Sequence, residues 1–321
     1  MANDGDAYWR TRAGAPAQKG VLATSRGLQP RQPARPDAPV RMARYEPAAS
    51  VAGLVRHYWL PRWSLAPGAV VSQAVLEYPS ANLVIEPTDA GLYGPERGRG
   101  VQRLEGTGWA FGALLQPGIA RALIDGDLAR IVGSSAPLSS LRVAGTASLA
   151  AHVREAMRAD ADALAVAAFD EWLHSLALEL GSDAHRVREV VDRAENDRSI
   201  VRVEQLAAVT GQSMRSLQRL VRDQLGLSPK WLIQRYRMQE AAFALSADAP
   251  LSLADLAASL GFADQAHFTR DFRAVIGETP AVYAARAAEA GAAEAGAAEA
   301  PAEARAEAGR DADAGVQEIS R

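Results

Sequence analysis

Two periods divide the hydrophobic pattern of this chain. Between Tyr45 and about Leu141, apolar residues come in short runs, "VRHYWLPRW", "VVSQAVLEYP", "ANLVIEP" and "GWAFGALLQPG", separated by Gly, Pro and Asn/Asp clusters. Short runs rich in Val, Leu and aromatics and bounded by turn residues predict β-strands. From residue 146 the spacing turns helical. Leu164, Trp172, Leu173, Leu176 and Leu180 recur at steps near three and four, which predicts one apolar helix face. From 184 onward the pattern is helical throughout, beginning with an i, i+3, i+4, i+7 stripe of Val187, Val190, Val191 and Ala194. The expected fold class is α+β: an N-terminal antiparallel β domain, a small barrel or sheet with helices, followed by an all-α domain.

The helical part repeats itself. "LAAVTG" at 206–211 returns as "LAASLG" at 256–261, 50 residues later. One extra residue then moves the offset to 51. Ser213 matches Asp264, Leu217 matches Phe268, Arg219 matches Arg270, Arg222 matches Arg273, Gly226 matches Gly277 and Pro229 matches Pro280. Each copy reads as a short helix ended by Gly211 or Gly261, residues free to take the left-handed conformation. Ser213 or Asp264 then caps a second helix by accepting its unpaired amide hydrogens. That second helix buries Leu217, Leu220 and Val221 in the first copy and Phe268 and Phe272 in the second. Helix, tight Gly turn, helix is a helix-turn-helix unit. The segment "SPKWLIQRYRMQEAAFALS" between the copies predicts a linking helix of about 17 residues, roughly 25 Å long, with Trp231, Leu232, Tyr236 and Phe243 on its apolar face.

Charge sharpens this division. The whole chain carries a formal net charge of −3, which does not advertise a nucleic-acid partner, but local segments differ. Residues 213–237 hold six basic residues against one acidic. Residues 1–44 lack any apolar period and hold eight basic residues against three acidic, while 287–321, built around "AAEAGAAEAGAAEAP", hold eight acidic against three basic. Both ends are expected to be disordered tails. A DNA-touching arm is the less favoured reading of the first, and partial helix is open to the second because Ala and Glu favour it. The expected domains are therefore 45–182, a sensor or dimerisation domain, and 183–286, the double helix-turn-helix domain.

The chain has no cysteine, which removes disulfides, thiolate nucleophiles and Cys-ligated zinc. It shows neither a signal-peptide core near its start nor an apolar run of membrane-spanning length. The expected location is the cytoplasm, with no membrane partner.

The stretch "GFADQAHFTRDFRAVIGETPAVY" carries a resemblance. Gly261, Phe262, Phe268, Arg270, Phe272, Gly277, Thr279, Pro280 and Tyr283 resemble the signature of the AraC/XylS family of bacterial transcription regulators, and "LAAVTGQSMRSLQRLVRDQLGLSPKWLIQRYRM" fits the family's first unit. Ala266 and His267 stand where the family often has Ser and a Tyr or His, a departure that bears on which bases are read. The resemblance covers about 184–284. It implies two reading helices entering adjacent major grooves and an N-terminal domain that senses a ligand or dimerises. Double-stranded DNA and RNA polymerase are the implied partners, with a small-molecule effector and a second copy of the chain as further candidates. Residues 45–141 resemble, more weakly, poorly characterised β-type modules attached to some members.

Polar residues facing away from the buried Leu and Phe stripes should meet the groove. Arg suits guanine and Gln suits adenine. The family's base-reading positions fall on Arg215, Gln218 and Arg219, and on Gln265, His267 and Arg270. Ser216, Arg222, Thr269 and Arg273 are expected at phosphates, which fix register without reading sequence. Singly, an exposed Arg is an ordinary solvated charge; the matched pair of faces is what favours DNA. His267 has neither a second His nearby in sequence nor a Cys, so metal binding is not expected. In the β domain His57, Glu77, Asn82, Glu86 and Gln116 are candidate effector contacts. Catalytic residues, metal and cofactors are not expected, because the sequence offers no Ser-His-Asp grouping, Gly-rich phosphate loop or metal spacing. An enzyme fused to a DNA-binding module is the disfavoured alternative, and a β domain that only dimerises is the closer one.

Overall fold

The computed structural model describes residues 40–246 and 252–299. Nine strands lie in the N-terminal part of the described residues: β1 (Val40–Tyr45), β2 (Val55–Ser64), β3 (Val70–Val75), β4 (Asn82–Ile85), β5 (Ala90–Tyr93), β6 (Gly100–Glu105), β7 (Thr107–Trp109), β8 (Phe111–Leu115) and β9 (Ser135–Pro137). Seven form one antiparallel sheet in the order β1-β2-β8-β4-β5-β9, with β7 also on β2, and β3 pairs with β6 as a separate ribbon. The sheet has two ends, β1 and β9, so it is open rather than a barrel. Strand β1 starts at Val40, inside the segment expected to be a tail, and pairs along its whole length with β2, Val40 opposite Trp63 and Tyr45 opposite Tyr58.

Helix α1 (Ala120–Leu123) lies between β8 and β9, and the other helices follow β9: α2 (Thr146–Arg158), α3 (Asp162–Ser175), α4 (Ser182–Asn196), α5 (Val203–Val209), α6 (Met214–Leu225), α7 (Pro229–Leu245), α8 (Leu253–Ser259), α9 (Gln265–Ile276) and α10 (Pro280–Glu299). No helix among the described residues is long and apolar enough to cross a membrane. The helix α10 passes residue 286, the expected domain edge, in keeping with the helix preference of Ala and Glu. The basic arm at 1–39 and the last residues, 300–321, lie outside the described residues.

Every residue of β8 is buried, which requires cover on both faces of the sheet. One face packs on α2 and α3. Tyr58, Phe111, Phe169 and Trp172 meet there, with successive ring centroids 5.4–5.5 Å apart. Tyr58 also donates a hydrogen bond to Asp170 at 2.6 Å. The apolar face of α3 is Ala165, Val166, Phe169, Trp172 and Leu173. Leu164, expected on that face, is 66% exposed, because it lies one position off the 165/169/172 row, and Leu176 and Leu180 fall past the helix end. The opposite face of the sheet presents Leu114 to the C-terminal helices, where it shares a core with Val187, Val190 and Val191 of α4.

Candidate nucleic-acid interface

The repeat predicted from sequence is a repeat in space. Helices α5 and α8 are both seven residues long, and α6 and α9 are both twelve. Ser213 accepts the amide hydrogen of Ser216 at 3.1 Å, and Asp264 that of His267 at 2.7 Å, so both second helices begin on a side-chain cap. Both end on a left-handed glycine, Gly226 at φ 71° and Gly277 at φ 91°, where a residue with a Cβ would be strained. Pro229 then opens α7 and Pro280 opens α10, at the first helical turn where a missing N–H costs nothing. Each unit has its own core. Leu206, Leu217, Leu220 and Val221 belong to one, and Leu256, Phe268, Phe272, Ile276 and Tyr283 to the other.

Above these cores the predicted base-reading side chains all reach solvent. Arg215, Gln218 and Arg219 are exposed on α6, and Gln265, His267 and Arg270 on α9. Arg222 and Arg273 are exposed too, while Ser216 and Thr269 are half-buried at the edges of the two faces. Among the described residues, Arg215, Arg219, Arg270 and Arg273 lie in no ion pair. The Ser216 hydroxyl sits 3.5 Å from the Arg186 guanidinium. The His267 ring is held from two sides: its Nε2 lies 3.7 Å from an Asp271 carboxylate oxygen, and it stands edge-on to Phe262 at 5.2 Å. Asp271 in turn accepts a hydrogen bond from Gln234 of α7 at 3.1 Å.

The positive patch is smaller than the sequence suggests. Of the six cations counted over 213–237, Arg235 is 2% exposed and Arg237 turns inward, its guanidinium 4.7 Å from the Phe262 ring and bonded to the Leu260 carbonyl. Arg222, expected at a phosphate, instead lies 3.7 Å from an Asp127 carboxylate oxygen of the N-terminal region. Replacing Asp127→Asn is therefore expected to free Arg222 and steepen the slope of log affinity against log salt on any duplex by up to about 1. Titrating binding against salt for both proteins checks this; identical slopes would remove Arg222 from the phosphate-contacting set.

The five candidate effector contacts do not converge. His57 on β2 and Asn82 on β4 both pair with Leu114 on the intervening β8, so they share one row of the sheet. Asn82 accepts the Trp59 indole hydrogen at 3.0 Å. Gln116 donates to the carbonyls of Ala52 and Val55 at 3.2 and 3.5 Å. Glu77 accepts the Glu96 amide hydrogen at 3.2 Å, and burial pushes its carboxyl up. Glu86 closes the β4–β5 turn, its amide bonded to the Asp89 carbonyl, and burial followed by Asp89 pushes its carboxyl up. Of two small clefts, one between helices is walled by Tyr236, Arg237 and Glu240 and the other, between the N-terminal region and α6, by Ser80, Gly118 and Leu225, and none of the five residues lines either.

His57 is buried, and its Nδ1 has no hydrogen-bond partner among the described residues. Burial, then the Arg44 and Arg56 guanidiniums, press its pKa down to about 3. The unfolded chain, with an ordinary His pKa near 6.5, takes up that proton first as pH falls. The stabilisation is whole above about pH 6.5 and is lost progressively as pH falls toward 3. Between pH 7 and pH 5 the wild type should lose about 2 kcal/mol more than a His57→Gln protein. Urea unfolding of both at the two pH values measures it, and equal losses would mean that His57 is not held neutral.

Sequence reasoning missed the surface that joins the N-terminal β region to the helical C-terminal region. The linking helix α7, expected to bury one face, is buried nearly all round. Arg235 donates to the carbonyls of Glu96 and Gly98 and lies over the Trp231 ring at 4.5 Å. Gln239, one turn on, donates to the Leu76 carbonyl at 3.0 Å, and the Trp231 indole to the Arg97 carbonyl at 3.2 Å. Arg56 ties β2 to α4 through its Nη2, which donates to both carboxylate oxygens of Glu195, at 2.9 and 3.1 Å. The available signal was a helix with apolar residues on all sides and two hydrogen-bonding side chains four positions apart.

Known proteins bear on both halves. Residues 206–286 match a family described as a helix-turn-helix domain, and residues 43–137 match a domain of unknown function, DUF6597. The transcriptional activator NphR of a Rhodococcus species is 32% identical over 124 residues, 38% of this chain and 36% of that protein. The HTH-type transcriptional regulator MtrA of Neisseria gonorrhoeae is 29% identical over 99 residues, 31% and 32% of the two chains. This chain thus spans about a third of the length of the curated relatives it matches. Among solved structures, the C-terminal domain of AraT, a response regulator from Geobacillus stearothermophilus, is 24% identical over 32% of this chain and 87% of that one, at a TM-score of 0.30.

Proposed function

We infer the working of this chain from the family it belongs to, the AraC-type helix-turn-helix transcription regulators: it is a sequence-specific DNA-binding regulator that places α6 and α9 in successive major grooves of one duplex. The observation that carries this is the duplicated frame, two capped twelve-residue helices with Arg, Gln and His exposed over buried Leu or Phe. The 17-residue helix α7 between them is about 25 Å long, the right scale for half-sites roughly 34 Å apart. In this reading Arg215, Gln218, Arg219, Gln265, His267 and Arg270 meet base edges, and Ser216, Arg222, Thr269 and Arg273 meet phosphates. Such a protein works in the cytoplasm beside RNA polymerase, and no catalytic step is assigned to it.

Selection of bound duplexes from a random pool at low salt tests the reading. A recovered consensus with two separated elements supports it, and a pool that returns unenriched overturns it.

Control by a small molecule or partner at the N-terminal region, with His57, Glu77, Asn82, Glu86 and Gln116 as contacts, remains part of the proposal. A second reading, in which this region supports the heads without sensing anything, is favoured by the structural partners already held by Asn82, Glu77 and Gln116. Sizing the full chain across concentration decides whether that support includes a homodimer.

A further inference from the structure

The two reading units have separate cores, and one three-residue stretch of the N-terminal region enters both. Leu76, immediately after β3, is fully buried in the core of the second unit with Met238, Phe268 and Phe272. Tyr78, two residues on, is buried in the core of the first unit, its ring edge-on to Tyr236 at 6.5 Å. In a continuing strand residues two apart would share one face; Leu76 and Tyr78 lie past the end of β3, outside that alternation, and enter two different cores. The backbone between them is fastened to the helix that joins the units: Gln239 donates to the carbonyls of Leu76 and Glu77 at 3.0 and 3.4 Å.

The same region also touches the end of each reading helix. A Cβ at Gly226, which ends α6, would fall 2.7–2.8 Å from the backbone of Leu128 and Ala129. A Cβ at Gly277, which ends α9, would fall 3.3 Å from the Arg99 guanidinium.

We propose that the segment Leu76–Tyr78 is a working part of the DNA-reading unit: it staples the two heads to α7 at one separation and so sets the half-site spacing the chain accepts. The spacing half rests on the DNA-binding reading above; the staple half does not. Two heads on one chain gain avidity only when their fixed separation matches the sites. A stapled pair therefore discriminates among spacings, and a loosened pair tolerates them.

The test uses the full chain. With no native cysteine, Asp223→Cys and Ala274→Cys, both exposed on the reading helices, accept spin labels without background. The stapled protein should give one narrow label-to-label distance. Leu76→Ala, which empties the second core of its N-terminal plug, and Gln239→Leu, which removes the backbone clasp, should each lose that single peak. If Leu76→Ala also loses helix by circular dichroism, Gln239→Leu decides. An unchanged distance in the folded variants overturns the staple. On duplexes recovered from a random pool, moving the two elements apart by about two base pairs should cost the wild type on the order of 100-fold and the variants about tenfold or less. Broadened distances with an unchanged spacing preference overturn the spacing half. If the wild type recovers no duplex at all, the DNA-binding reading falls and the distance measurement still decides the staple.

Discussion

Replacing Arg219 and Arg270 together by Ala is expected to lower affinity for the selected duplex by roughly 2–6 kcal/mol, since each bidentate pairing of an arginine with a base edge is worth about 1–3 kcal/mol. The two residues occupy equivalent places on α6 and α9, are exposed, and lie over separate cores, so their effects should add and the fold should survive. Affinity for unrelated duplex should fall far less, because non-specific binding depends on charge and not on base edges. Competition between selected and unrelated duplex at one salt concentration separates the two quantities. Equal reductions on both would move these arginines from base reading to phosphate binding.

The second large effect is structural. Phe272 is fully buried, with its ring 5.6 Å from both Phe268 and Tyr283. Phe272→Ala should destabilise the second head by about 3–5 kcal/mol, from the transfer energy of the missing ring plus the cavity left behind. That is a large share of the roughly 5–15 kcal/mol typical of a whole domain. Because the first head has its own core, amide exchange should quicken in α8, α9 and α10 and stay slow in α5 and α6. Leu217→Ala should reverse the pattern. Uniform quickening in either variant would show that the heads unfold as one unit, with the Leu76–Tyr78 segment coupling them more tightly than their separate cores suggest.

The helical half was readable because its instructions are local. Ser213 and Asp264 announce helix starts, Gly226 and Gly277 announce ends, Pro229 and Pro280 announce the next starts, and the apolar stripes fix which face is buried. All of these lie within a few residues of the structure they determine. The outward set on α6 and α9 followed by elimination, and every predicted base-reading residue is exposed.

The N-terminal half was only partly readable. The strands β2, β4 and β8 carry dense apolar runs and were expected; β1, β5 and β6 are short or polar on one side and were not. Sheet order was out of reach, since β2 pairs with β8 across half the domain. The candidate effector contacts failed to gather for a similar reason: a pocket is a property of tertiary packing, and here Asn82 and Gln116 spend their hydrogen bonds inside the sheet and its loops. Arg235 shows the limit most plainly. Its place in a basic run suggested a surface cation, yet its partners are carbonyls about 137 residues away in sequence; the all-round apolar helix signals its burial, but nothing near it in the chain identifies those partners.

The central claim is that α6 and α9 read one duplex together. Hydroxyl-radical footprinting of the full chain on a duplex selected from a random pool tests it most directly. The expected result is two protected patches on one face of the duplex, about one helical turn apart, with Arg219→Ala erasing one and Arg270→Ala the other. A single patch that either substitution weakens, or no protection at low salt, would contradict it.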